Sequence, residues 1–257
     1  MKSRSPLPSP ASGNSHRPRK TAALLAQRII EEITEQDLEP GLMLPPEREM
    51  LEQYGVARGT LREALRFLEM QGVLTIKPGP GGGPVINAPD ARPLASVIAL
   101  LLQRADAPFR TILEARELLE PAMASMAADR RDTEEIARIA MTITDMEAHL
   151  DDPRAFLNDN HQFHAALGRA SGNQLFDFLL SSLSWITDGT ILGVDYPEKT
   201  RRAVLRAHER IYERIEAQDS VGAAEEMREH IMEFRQYLDR FFPHVVNQRL
   251  RWDQVMQ

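Results

Sequence analysis

Residues 40–84 constrain the fold more than any other part of this 257-residue chain. The segment reads PGLMLPPEREMLEQYGVARGTLREALRFLEMQGVLTIKPGPGGGP, which is two short helical patterns, a β-type run and a tip rich in glycine and proline. The second helix carries Arg58, Arg62 and Arg66 at i, i+4 and i+8, so the three side chains share one face. A basic face on the second helix of such a pair suits insertion into the major groove of DNA.

The same helix also has an apolar face. Leu61, Leu65 and Leu68 lie away from the arginines and predict contact with a domain core. An arginine suits DNA because its planar fork can bond guanine bidentately or clamp a phosphate. The spacing alone leaves a second interpretation open, in which the arginines are merely solvated and pair with Glu63 and Glu69.

Composition favours a cytoplasmic protein of two domains, with 42% apolar and 27% charged residues. The chain has no cysteine, which excludes disulfides, thiolate zinc sites and cysteine nucleophiles and suits a reducing cytoplasm. The longest apolar run, residues 94–102, is far shorter than the ~20 residues of a membrane span, so no membrane partner is expected. The net charge of −7 is uneven, with +5 in residues 1–20, −4 in residues 21–88 and −8 in the remainder.

Proline, glycine and charge divide the chain into segments. Residues 1–20 predict a disordered basic tail, and residues 21–88 predict the DNA-binding domain. The APDARP stretch predicts a linker over residues 89–93. Residues 94–242 show helical patterns throughout and predict an all-α bundle, and residues 243–257 are left as a C-terminal tail. The expected fold class is therefore mainly α.

Local signals place the elements within these segments. Thr21 is expected to cap a helix over residues 22–36, and strands are expected over residues 73–77 and 85–87. The second domain is expected to contain helices over about 94–105, 109–129, 133–150, 153–171, 173–187, 200–217 and 220–241. Aspartates suited to cap the next helix stand in its connections, at Asp132, Asp152 and Asp219.

Four polar residues interrupt apolar stripes of the helical domain. Asn160 and His164 are spaced i, i+4, while His208 and His230 lie in two later stripes. A chain reversal near Asp219 would bring the last two together. Such a set can surround a metal ion or an anionic ligand. The alternative is that each side chain separately bonds a backbone carbonyl or a water molecule.

Residues 22–87 resemble the winged-helix domain of the GntR superfamily of bacterial transcription regulators. The motifs that carry the resemblance are Pro40-Gly41, Leu44-Pro45-Pro46-Glu47-Arg48-Glu49, Gly55-Val56-Ala57-Arg58, Arg62-Glu63-Ala64-Leu65 and Leu68 to Gly72. The resemblance implies a winged helix-turn-helix whose DNA contacts come from Arg48, Arg58, Thr60 and Arg62, with Gly79 in the wing. Ala57 departs from the family, which usually has Ser or Thr there, and cannot cap the recognition helix.

Residues 94–241 are similar to the all-helical ligand-binding FCD domain of the FadR-like subgroup of these regulators. The matching pieces are Arg116 to Glu120, Phe163-His164, Ser171-Gly172-Asn173, Ala207-His208 and Glu229-His230-Ile231. The resemblance implies that a divalent metal such as Zn, Ni or Mn is held by Asn160, His164, His208 and His230 at the floor of an effector pocket.

One ligand position differs from the subgroup's pattern. Asn160 stands where the subgroup has Asp, so the site would lack its anionic ligand and bind metal more weakly until an effector carboxylate supplied the charge. Asp159 is adjacent but points elsewhere on the helix. By the same resemblance Arg116 would clamp the effector carboxylate, although an ion pair with Glu120 one turn away is an equal alternative.

The function expected from these features is a ligand-responsive transcription regulator, and the resemblance implies that it is a homodimer. It would bind a palindromic operator in double-stranded DNA and respond to a small organic acid. The main alternative is a helical metalloenzyme or metal-binding protein without a regulatory role. It is disfavoured because the chain has no HExxH, G-x-S-x-G or P-loop motif and no paired Glu-x-x-His. A third alternative, a constitutive scaffold protein, is disfavoured because such a protein would not need polar clusters on the inner faces of its helices.

Overall fold

The computed structural model describes residues 16–187, 194 and 196–255 of the chain. The chain divides into two compact units, Met1–Asp90 and Ala91–Gln257. Helices dominate both, and the mainly-α fold class with an N-terminal helix-turn-helix and a C-terminal helical bundle is confirmed. The sequence predicts disorder for residues 1–20; residues 1–15 lie outside the described residues, and the prediction is wrong for residues 16–20, which are helical.

The first unit contains a three-helix arrangement followed by a hairpin. Its elements are α1 (His16–Glu35), α2 (Glu47–Tyr54), α3 (Arg58–Met70), β1 (Leu74–Ile76) and β2 (Pro84–Ile86). The strands pair antiparallel, with Leu74 opposite Ile86 and Ile76 opposite Pro84. Their short turn-rich connection forms the tip that the sequence predicts.

Apolar side chains from all three helices form the core of this unit. Leu61, Leu65 and Leu68 of α3 are buried, as the pattern predicts, and pack with Leu25 and Ile29 of α1. The inner face of α3 is therefore fully used by the fold. Its opposite face is left for solvent or a partner.

The start of α1 corrects one prediction. The helix begins at His16, so Thr21 lies inside it and is not its N-cap. The cap prediction ignored the helix-forming basic residues that precede Thr21. Pro18 does not prevent this extension because it stands in the first turn, where a missing N–H leaves no bond unmade.

The second unit is all-helical in its described residues. Its elements are α4 (Arg92–Arg104), α5 (Arg110–Arg130), α6 (Thr133–Ala148), α7 (Pro153–Ala170), α8 (Gln174–Thr187), α9 (Glu198–Glu216), α10 (Ser220–Phe241), α11 (Pro243–Val246) and α12 (Trp252–Val255). Each of the seven predicted helices begins and ends within two residues of the observed helix. The predicted caps are also confirmed, since Asp132, Asp152 and Asp219 each accept bonds from backbone N–H groups in the first turn that follows.

Two neighbouring apolar clusters fill this bundle. One lies among α5, α6, α7, α9 and α10, and the other collects side chains from α4, α5, α8 and the C-terminal segment. Val245, Val246 and Leu250 are buried in the second cluster, so the segment described as a tail packs against the bundle. The last two residues of the predicted linker 89–93 are already helical, because α4 begins at Arg92.

Candidate functional site

The turn between α2 and α3 sets the direction of the helix expected to read DNA. Gly55 ends α2 with φ of 62°, a left-handed conformation that glycine adopts without steric cost. Ala57 then stands at the N-cap of α3 with extended φ and ψ of −71° and 149°. Among the described residues no side chain bonds the first N–H groups of α3, as expected from the absence of Ser or Thr. The first N–H groups of α3 are therefore available to an acceptor outside the unit, such as a phosphate.

The arginines of α3 point outward. The side chains of Arg58 and Arg62 are 70% and 61% exposed, and Arg66 is exposed as well. Both Arg58 and Arg62 lie 3.2 Å from one carboxylate oxygen of Glu47 at the start of α2. Glu47 is thus the ion-pair partner of two of the arginines, a role that the sequence interpretation gave to Glu63 and Glu69.

The contact with Glu47 leaves both arginines able to bind DNA. Exposed ion pairs contribute about 0–1 kcal/mol, so DNA can replace the carboxylate as partner. Glu69 has a different task, since it accepts a bond from the backbone N–H of Ile76 at 3.1 Å and ties α3 to the hairpin. Arg48 extends into solvent with its side chain 91% exposed, and Thr60 on α3 is half-buried.

The hairpin tip requires glycine at several positions. Gly79 and Gly81 have φ of 94° and 80°, which L side chains rarely adopt. A Cβ on Gly82 would lie 2.2 Å from the carbonyl oxygen of Lys77. The tip therefore presents mostly backbone, the form in which a wing can approach a phosphate closely.

The three histidines of the second unit come together in its interior. His164 on α7, His208 on α9 and His230 on α10 are all buried, and their candidate ligand atoms lie within 4.8 Å of one another. The Nε2 atoms of His208 and His230 are 3.2 Å apart. The chain reversal capped by Asp219 brings these two together, as predicted. The interpretation in which each histidine bonds separately to backbone or water is wrong, because the rings contact one another.

Burial favours the neutral form of two of these imidazoles, those of His208 and His230. Burial, followed by the charges of the neighbouring histidines, holds the pKa of His208 well below its usual 6.5. Burial and then His164 lower the pKa of His230 to about 3. A neutral imidazole has a lone pair on one ring nitrogen, so the cluster can act as a set of metal ligands.

Two further contacts orient the histidine rings. His164 donates from Nδ1 to Glu120 at 2.5 Å, which leaves its Nε2 as the acceptor or ligand atom. His208 places Nδ1 3.2 Å from the sulfur of Met146, a weak acceptor. The sequence interpretation missed both partners. The i, i+4 pairing of Arg116 with Glu120 was the available signal for the first.

Glu120 and Arg116 form a buried charged pair on α5. Arg116 donates from Nε to Glu120 at 2.5 Å, and Glu120 is fully buried. Burial alone would raise the pKa of Glu120, but the charge of Arg116, followed by the contact with His164, outweighs it and lowers the pKa to about 2. The predicted ion pair is therefore present. Arg116 also lines a cavity, so the ion pair does not exclude the side chain from that wall.

The residues around position 160 are placed as the helical pattern requires. Asn160 lines the same cavity as His164 and His230. Asp159 is turned away and accepts from Nδ1 of His149 at 2.7 Å. The prediction that Asp159 points elsewhere on the helix is confirmed. The carboxylate beside Asn160 is already engaged and does not replace the missing anionic ligand.

The cavity that reaches the histidines is large and has two kinds of wall. Its volume is about 730 Å³. Its polar lining includes His161 and Lys199, neither of which was singled out from the sequence, and aromatic side chains form much of the remainder. The lining residues are Arg116, Leu157, Asn160, His161, His164, Thr187, Tyr196, Pro197, Lys199, Thr200, Ala203, Val204, His230, Ile231, Glu233, Phe234, Tyr237, Phe241 and Phe242.

These donors fit a divalent metal chemically. Imidazoles are ligands that Zn, Ni and similar ions accept, and the amide oxygen of Asn160 is a candidate fourth ligand on the same cavity. The set carries no negative charge, so a bound dication would keep its full charge toward the cavity. Such a centre favours an anion as its remaining ligand.

A helix-turn-helix unit with outward arginines and a helical unit with a buried polar cavity define a transcription regulator of two domains. Comparison with known proteins agrees. Residues 21–82 match the bacterial regulatory proteins of the gntR family, and residues 111–233 match the FCD domain. None of the helices in the part of the chain that the structure describes is long and apolar enough to cross a membrane.

Relatives cover nearly the whole chain. The chain is 31% identical over 221 residues to the HTH-type transcriptional regulator YcbG of Bacillus subtilis, covering 83% of this chain and 88% of that protein. It is 28% identical to the HTH-type transcriptional regulator LutR of the same organism, over 80% and 95% of the two chains. A solved GntR structure from Streptococcus agalactiae matches with a TM-score of 0.63 and 27% identity, over 84% of this chain and 99% of that one.

This protein therefore belongs to the GntR family of bacterial transcription regulators and carries an FCD domain as its second unit. It is a DNA-binding regulator rather than an enzyme, because both domains and these relatives are those of regulators.

Proposed function

We propose that this regulator binds a palindromic operator as a homodimer and releases or engages it in response to a small carboxylate, sensed at a metal in the helical unit. The observation that carries the proposal is the cavity of about 730 Å³ whose lining includes Arg116, Asn160, His164 and His230. A ligand there changes DNA affinity only if it binds one conformation better than another.

The DNA-binding part of the proposal rests on α3. Arg58 and Arg62 are exposed on the face opposite the buried leucines, and Glu47 holds their guanidinium groups near one another. We assign the base and phosphate contacts to these two, with Arg48 and Thr60 supporting at the backbone. Gly79 in the tip of the hairpin would approach the neighbouring groove.

The sensing part rests on the histidine cluster. His164, His208 and His230 would hold the metal together with the amide oxygen of Asn160, and the metal would supply a positive anchor for an anionic effector. Because none of the four ligands is an anion, a carboxylate effector would offset part of the charge of the dication as it binds. Arg116, fixed through Nε by Glu120, orients that carboxylate.

An exposed apolar face supports the homodimer. Val97, Leu100 and Leu101 on α4 follow the i, i+3, i+4 spacing of one helix face and are 54%, 41% and 59% exposed. A two-fold dimer would match the symmetry of a palindromic site. Light scattering of the purified chain is expected to report twice the mass of one chain, and a monomer at all concentrations would contradict the proposal.

DNA binding is tested by removing both outer arginines. The Arg58→Ala plus Arg62→Ala variant is expected to lose at least about 30-fold in affinity for a labelled duplex from upstream of its own gene, since each contact contributes about 1–3 kcal/mol. The matched control is Arg138→Ala plus Arg202→Ala, two arginines of the helical unit with side chains 51% and 52% exposed. Equal affinity of both double variants would refute the assignment.

Metal binding is tested on the intact protein. Elemental analysis of the purified chain is expected to find one divalent metal per chain, and chelation is expected to lower the melting temperature, because a metal that binds only the folded state stabilises it. Readdition of Zn²⁺, Ni²⁺ or Mn²⁺ in turn would identify the preferred ion. A melting temperature unchanged by chelation and by all three ions would refute a metal centre.

A further inference from the structure

We infer that the effector is an aryl carboxylate, an acid whose carboxylate is joined through a short chain to an aromatic ring. This inference rests on the proposed sensing function and names its ligand class. It depends on two groups of side chains that line the cavity, a polar group and an aromatic group.

The polar group is suited to a carboxylate. It includes Arg116, His164, His230 and Asn160. The bond from Arg116 to Glu120 uses Nε, so its terminal nitrogens can still meet a carboxylate. Lys199 and Glu233 also line the cavity, and their opposite charges sum to zero. The charge pattern therefore fits a carboxylate.

Aromatic side chains form the other wall. Tyr196 is nearly parallel to Phe234 and Tyr237, with interplanar angles of 21° and 20° and ring centroids 6.2 and 6.0 Å away. Phe241 and Phe242 continue the group from Tyr237, at centroid distances of 5.1 and 5.8 Å. All five rings line the cavity. Such a surface pairs with a flat apolar ring by offset or edge contacts.

Phe241 supplies an independent observation. Its side chain is 56% exposed although it is large and apolar. Tyr196, another of the five lining rings, is by contrast buried. A ring seated against Tyr237 would cover part of Phe241, and burial of that apolar surface would favour binding.

A sugar acid fits this wall poorly. Each of its ring hydroxyls needs a hydrogen-bond partner when it leaves water, and an unpaired buried hydroxyl weakens binding. Of the five rings that line the cavity, those of Phe234, Phe241 and Phe242 supply no such partners. A short hydroxy acid would leave most of the volume to water, so neither class uses the space that the fold provides.

The test is calorimetric titration of the full-length protein, loaded with the metal it prefers, with four probes. These are 3-phenylpropionate, 3-phenylpropanol, glucuronate and lactate. We expect 3-phenylpropionate to bind at least about 10-fold more tightly than each of the others, because only it engages both walls. Its addition should also change the affinity for the operator duplex.

Two variants test the aromatic wall directly. Phe234→Leu should weaken 3-phenylpropionate about 10-fold while metal content is unchanged. Phe241→Ser should weaken it in the same direction, and its exposed position makes a folding defect unimportant. Phe67→Leu is the control, an aromatic residue of the DNA-binding unit that is 43% exposed. Equal weakening by the control would overturn the role of the wall.

The outcomes separate this inference from the proposed function. If glucuronate or lactate binds and alters DNA affinity while 3-phenylpropionate does not, the effector class is wrong and the sensing function stands. If 3-phenylpropanol binds as tightly as the acid, the carboxylate anchor is wrong. If no acid binds, both the inference and the sensing function are overturned.

Discussion

The buried pair of Glu120 and Arg116 gives the most informative stability test, through the substitution Glu120→Ala. The side chain of Glu120 is fully buried, and that of Arg116 is only 7% exposed. Removing the carboxylate leaves a buried guanidinium without its partner and His164 without the acceptor of its Nδ1–H. Breaking a buried pair in this way costs about 3–5 kcal/mol.

The depressed pKa of Glu120 gives an independent magnitude. The fall from 4.5 to about 2 corresponds to about 3 kcal/mol of preference of the folded state for the charged form. Because the folded pKa lies below the unfolded one, this stabilisation is present above pH 4.5 and is lost as the pH falls toward 2. Both routes therefore predict a loss of about 3 kcal/mol at neutral pH.

The assay is thermal unfolding of metal-free protein followed by circular dichroism. A loss of about 3 kcal/mol is expected to lower the melting temperature of the helical unit by about 6–12 °C. Glu117→Ala is the matched control on the same helix. Its partner Arg235 lies at 2.5 Å, but the two side chains are 23% and 32% exposed, so a loss below about 1 kcal/mol is expected. Equal shifts in the two variants would refute the argument from burial.

Three further substitutions test the local structure of both units. Ala57→Ser is expected to stabilise the DNA-binding unit by about 1 kcal/mol, since it adds the missing acceptor at the N-cap of α3, and a lower melting temperature would contradict this. Leu61→Ala should destabilise that unit by about 2–5 kcal/mol because the side chain is fully buried, and retention of full operator affinity above 45 °C would count against it. Asp132→Ala should cost about 1 kcal/mol in chemical denaturation by removing the bonds to the N–H groups of Glu134 and Glu135, with operator affinity unaffected.

Local signals accounted for most of the helix ends. Asp132, Asp152 and Asp219 cap their helices because the bonds involved reach only two or three residues along the chain. Gly55 ends α2 for the same local reason. Thr21 failed as a signal because helix continuation depends on the residues before it as well. Such features follow from neighbouring residues and can be predicted from the sequence.

Contacts between distant residues were predicted only in part. The apolar stripes placed all three histidines inside, and the reversal at Asp219 joined two of them. The partner of His164 lies 44 residues earlier, and the sulfur beside His208 lies 62 residues earlier. Periodicity tells which face of a helix is buried but not which other helix covers it.

The sequence by itself determined the helices, their caps, the outward arginines of α3 and the inward histidines, because each depends on spacing along one helix. Only the tertiary structure decided that Glu47 holds two of those arginines, that Glu120 orients His164, and that Tyr196 meets rings from α10 to form one wall of a cavity. The physical reason is that these contacts join different elements, and their formation depends on how the whole bundle packs rather than on any local pattern.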